Sequence, residues 1–217
     1  MTDYRPSRRN VLKWAGAGAT LAVAGSLLPN FGISAALAAD LGSGDTGILN
    51  YAYALEQLET AFYTQVVKTP YAAMSKAERR ILAGIRDHEI AHRDFLRKAL
   101  GKHAIPALEV DFSSVDFTSR KSVLATADVF ENLGVAAYNG AGKLIKNVDY
   151  LAAAGSIVSV EARHTAAIAE LIGGAGAKAA GAGHVDMSGL DGALSPGEVL
   201  PKAAPFIKTP VTANALV

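Results

Sequence analysis

The chain has no cysteine among its 217 residues. Disulfides, thiolate metal sites and a rubredoxin-like electron-transfer module are therefore excluded, and an oxidising compartment poses no thiol problem. Lys and Arg form no cluster, and 21 basic residues are balanced by 20 acids, which argues against nucleic acid as a main partner. There is also no uninterrupted apolar run of the ~20 residues that a bilayer span takes. The most apolar stretch, Trp14 to Leu28, is broken by Gly16, Gly18 and Gly25, and Pro29 follows it.

That stretch comes directly after SRRNVLK at 7–13, which has the paired arginine, leucine and lysine of a twin-arginine export signature. ALA at 36–38 offers the small residues that signal peptidase needs, so cleavage is predicted after Ala38. The reading is an exported, periplasmic protein that engages the twin-arginine translocation machinery and keeps no membrane span after cleavage. This route carries proteins folded in the cytoplasm and suits one that loads a cofactor before export. Arg5, Arg8, Arg9 and Lys13 lie in the signal against Asp3 alone, so the rest of the chain is net acidic.

The expected organisation is a signal peptide over 1–38, a linker over 39–46, a helical domain over 47–173 and a Gly/Ala-rich tail over 174–217. Within the domain the apolar periodicity predicts four helices. The first runs from about Thr46 to Lys68, where Thr69-Pro70 stops it. The second starts after Ser75, since SKAE has capping-box spacing, and ends at Gly101. The third runs from Thr118 or Ser119 to about Lys146, and the fourth from about Val148 to Ile172, before Gly173-Gly174. The links inside each pair are short. The middle link, Lys102 to Phe117, is long and contains Pro106 and the strand-like pieces ALEV and VDF. At ~3.3 Å per extended residue it can run the length of a bundle. The fold class is all-α, a four-helix bundle with one long crossover between helices 2 and 3. Residues 174–195 read as flexible, and SPGEVLPKAAPFI at 195–207 as a short helix packing back.

Two segments repeat a pattern. EIAH at 89–92 and EARH at 161–164 each place a glutamate three residues before a histidine. Both pairs fall inside the apolar stripe of their helix, with Ile85 and Leu96 flanking the first and Ile157 and Ile168 the second. Burying such groups is costly unless they are paired or metal-bound. The other two helices carry Glu56 and Glu131, and a tyrosine follows each by seven residues, at Tyr63 and Tyr138. The chain is thus two helical hairpins of one plan. Glu56, Glu89, His92, Glu131, Glu161 and His164 would converge as four carboxylates and two imidazoles. That set suits two divalent first-row ions, with the two Glu-x-x-His glutamates bridging. Glu59, one turn after Glu56, is an alternative ligand; the third helix has Gly134 in its place. Tyr63 and Tyr138 read as core tyrosines with satisfied hydroxyls near the site. His88 and His103 read as surface residues, His88 facing away from the stripe of Glu89. His184 has no assigned role.

On these residues the chain resembles the ferritin-like superfamily over roughly 47–173, rubrerythrin and bacterioferritin among its members. It looks closest to exported ferritin-like domain proteins and plant desiccation-related proteins. The resemblance implies that the six residues hold two iron ions, or two manganese ions as the alternative. It also implies oxidoreductase chemistry of ferroxidase or peroxidase type on O2, peroxide or Fe2+. The alternatives are a dimanganese catalase-like enzyme and a non-enzymatic metal-binding or stress-protective protein. An iron-storage role would require a hollow shell, which no feature of the sequence predicts.

Overall fold

The computed structural model describes residues 38–173 and 184–216. The predicted signal peptide, but for Ala38, and the first part of the Gly/Ala-rich stretch lie outside the described residues. After a short strand, β1 (Ala39–Asp40), come four long helices: α1 (Gly44–Lys68), α2 (Lys76–Leu100), α3 (Arg120–Gly142) and α4 (Val148–Ile172). A short helix, α5 (Pro196–Ala203), and a strand, β2 (Val211–Thr212), follow. No described helix is long and apolar enough to cross a membrane.

Local chemistry sets the helix ends. Ser75 and Glu78 form the reciprocal capping box at the start of α2, satisfying two backbone donors that the first turn leaves free. Asn147 caps α4 through the amides of Asp149 and Tyr150. Gly101 and Gly173 close α2 and α4 with positive φ, 55° and 98°, a conformation cheap only for glycine. The third helix stops at Gly142, short of the expected Lys146. The reason is Asp45 at the start of α1, whose carboxylate accepts the amides of Lys146 and Asn147 at 2.8 Å each and draws the chain out of the helix.

Helix α1 packs on α2 and α3 on α4, giving two antiparallel hairpins; α1 then meets α3, and α2 meets α4. Every residue of α1 from Gly47 to Thr60 is buried, because other segments cover its outer side. The crossover of residues 104–119 lies there. It is fastened by two amide side chains one heptad apart. Asn50 donates to the carbonyls of Leu41 and His103 and accepts the amide of Ile105. Gln57 accepts the amide of Leu108 at 2.9 Å. The strand-like pieces ALEV and VDF do not form strands. Val110 makes one isolated antiparallel bridge to Ile207, flanked by bonds from the Asp111 amide to the Phe206 carbonyl and from the Lys208 amide to the Glu109 carbonyl.

The tail packs back on the bundle, as expected for 195–207. Glu198 accepts both the amide and the hydroxyl of Ser195 at the start of α5. The amide of Leu194 donates to the carbonyl of Ala136 on α3 at 2.9 Å. Phe206 meets Phe130 edge-on, ring centres 4.8 Å apart, and joins a cluster with Phe62, Phe112 and Phe117. Beyond it β2 pairs in parallel with β1, Ala39 opposite Val211.

Candidate metal centre

The four helices bring the six expected residues to one place in the bundle interior. Each Glu-x-x-His pair lies on the inward face of its return helix, α2 or α4. Glu56 and Glu131 face them from α1 and α3. Glu56, Glu89, Glu131 and Glu161 are fully buried, and His164 is 3% exposed. Four buried carboxylates with no Lys or Arg among them would be prohibitive without cations to offset them.

The atoms are arranged as two half-sites. Glu56, Glu89, His92 and Glu161 form one donor set and Glu89, Glu131, Glu161 and His164 the other, with the donor atoms of each set within 4.8 Å of one another. Glu89 and Glu161 belong to both. Glu89 places Oε2 at 3.4 Å from Nδ1 of His92 and Oε1 at 2.8 Å from Nδ1 of His164. Glu161 mirrors it, with Oε1 at 2.8 Å from His92 and Oε2 at 3.4 Å from His164. Each of these carboxylates thus offers one oxygen to each half-site. Glu56 and Glu131 are terminal, their Oε2 atoms 3.5 and 3.3 Å from His92 and His164 respectively.

The other oxygen of each terminal glutamate is held by a tyrosine from the opposite hairpin. Tyr138 on α3 donates to Oε1 of Glu56 on α1 at 2.5 Å, and Tyr63 on α1 donates to Oε1 of Glu131 on α3. The inward-facing atoms are left without an aligned hydrogen bond: Oε2 of Glu56 and Glu131, both oxygens of Glu89 and Glu161, and Nδ1 of both histidines. Buried polar atoms are rarely left so. Eight lone-pair donors sharing one small interior region fit a pair of cations.

The electrostatics reflect this crowding. Burial raises Glu56 and Glu59 well above the usual carboxylate range, helped by neighbouring carboxylates. Burial likewise pushes Glu131 up to about 8. For Glu89 burial is outweighed by the close histidines His164 and His92, which hold it at about 2. Burial alone would lower both histidines, but the surrounding carboxylates raise His92 and His164 to about 12. Without metal the imidazolium groups act as the counter-charge. Burial and the adjacent carboxylates raise Tyr63 and Tyr138, so both phenols keep their proton.

Glu59 is buried but contributes to neither donor set. It lies over the glycine that replaces it in the second hairpin, since a Cβ built on Gly134 would be 3.1 Å from its Oε1. His103 and His184 are exposed. His88 requires a correction. Its side chain is exposed, but it does not turn away from the site. Nδ1 of His88 lies 2.9 Å from Nε2 of His164, and the two rings, within 11° of parallel, meet edge to edge. Its spacing of four from His92 was the available signal, because i and i+4 are about 40° apart around a helix and share a face.

Fold and site together define a helical bundle whose interior carboxylate–histidine cluster can hold metal ions. The sequence of residues 44–174 matches the ferritin-like domain family, and the chain belongs to that family. A search of curated proteins found no match.

Proposed function

We propose that this chain is an exported di-iron carboxylate protein acting on dioxygen, peroxide or Fe2+. The supporting observation is the placement of Glu89 and Glu161, each with one oxygen in either half-site. Four carboxylates match the charge of two divalent ions, and the mixed N/O set suits iron. When bound, a redox-active ion pair supplies electrons to O2 or peroxide. The chain's own residues provide the setting. Tyr63 and Tyr138 each occupy one oxygen of Glu131 and Glu56 and leave the other bare. The buried helix faces exclude bulk water. Export through the twin-arginine route is part of the same reading. It rests on SRRNVLK and on ALA at 36–38, directly before the first described strand at Ala39.

The test is metal analysis and an optical spectrum of protein folded in the cytoplasm, with sequencing of the exported N-terminus. The expected result is near two irons per chain, oxo-bridge absorption after exposure to air, and a mature chain starting at Ala39. Two manganese ions with rapid peroxide loss would instead make it a dimanganese enzyme. Less than one metal per chain, with melting unchanged by chelator, would leave a structural protein.

A further inference from the structure

The two hairpins repeat each other, yet one contact breaks the symmetry. The offset of 72 residues that carries Glu89 to Glu161 and His92 to His164 carries His88 to Val160. His88 on α2 reaches across to His164 on α4, with Nδ1 2.9 Å from Nε2. The corresponding position for His92 is an apolar valine, and Nε2 of His92 has no hydrogen-bond partner among the described residues. The His92 side chain is 11% exposed, against 4% for His164.

We infer that His88 is a positioning residue that makes the His164 half-site the tighter of the two, so that metal loads there first. This rests on the metal-centre reading above. Both histidines face the cluster through Nδ1. To bind an ion, Nδ1 must present its lone pair, which places the ring hydrogen on Nε2. A fixed acceptor for that hydrogen locks the tautomer and the ring plane and makes the ligand more basic. Nδ1 of His88 is that acceptor, and His88 then carries its own hydrogen on Nε2. The rings are within 11° of parallel with centres 5.1 Å apart, an edge-to-edge placement in which the Nε2 hydrogen of His164, lying in its ring plane, points at the His88 lone pair. His92 has no such side-chain acceptor among the described residues, the matching position being Val160. Loss of such an outer partner costs about 10–100-fold in metal affinity, so the two half-sites should differ by a comparable factor.

The probe is Co2+ alone, titrated anaerobically into the metal-free full chain and followed by its visible spectrum and by competition with a chelator. Wild type should bind two ions in separable steps. His88→Phe keeps an aromatic ring but no acceptor and should weaken only the tighter step, about 10–100-fold. His88→Gln, whose side-chain carbonyl can accept, should recover most of that loss. Val160→His supplies the missing partner and should strengthen the weaker step, narrowing the gap. Equal steps in wild type would overturn the inference. So would a His88→Phe chain that binds both ions as wild type does, or one that loses both steps alike. Failure of wild type to bind any Co2+ would overturn the metal-centre reading and this inference with it.

Discussion

Metal loading should release far more protons than an ordinary histidine–carboxylate site. At pH 7 the metal-free cluster keeps one proton on His92 and one on His164, both raised to about 12. Glu131, raised to about 8, and Glu56, raised well above its usual range, keep theirs. Glu89, held at about 2, has none to give. Each of the four protonated groups offers a donor atom that must be bare to bind an ion, so two divalent ions should expel about four protons per chain. The same ligands at unperturbed pKa values would release roughly half a proton, from the histidines alone. Overall loading should then tighten by about four decades per pH unit near neutrality. At pH 9 Glu131 is largely ionised and the release should be smaller than at pH 7. The assay is anaerobic titration calorimetry with Mn2+ or Fe2+ in buffers of different ionisation enthalpy, where the slope of heat against that enthalpy counts protons. Two bound ions with fewer than one proton released at pH 7 would refute the electrostatic account.

The same groups set the stability of the metal-free fold. The raised histidines stabilise it fully below about 6.5, and this is lost as pH climbs toward about 12. The raised Glu56, Glu59 and Glu131 stay protonated in the fold while the unfolded chain ionises them above about 4.5. The metal-free melting temperature should therefore fall steadily from pH 6 to 9, in calorimetry with excess chelator; a rise would contradict the shifts. Glu89→Gln should reduce metal affinity at both half-sites, and by more than Glu59→Gln, in chelator competition. The reverse ranking would move the site one turn along α1. Gly140→Ala would drive a Cβ into the backbone of Leu194 and should cost about 3 kcal/mol in urea unfolding; an unchanged midpoint would mean the tail does not pack there.

The inward residues were legible because their chemistry contradicts their position. Glu89, His92, Glu161 and His164 occupy slots that periodicity reserves for aliphatics, and duplication picked out Glu56 and Glu131 as their partners. The tyrosines carried less information. Their heptad spacing put Tyr63 and Tyr138 near the cluster, but each bonds the glutamate of the other hairpin, a relation set by how the hairpins cross. The role of His88 was hidden for a similar reason, because its partner, His164, sits on another helix. The end of α3 depended on Asp45, about a hundred residues earlier. Asn50 and Gln57 gave no sign that they fasten the crossover, since a buried amide and an exposed one look alike in a sequence.

The exchange of tyrosines makes the two hairpins interdependent. Neither half of the chain holds its own terminal glutamate in place; each depends on the phenol of the other. A single such hairpin, associating with a second copy about a two-fold axis, would recreate both phenol contacts and all six donors. Separately expressed halves, split in the crossover, should recombine into one metal-binding unit.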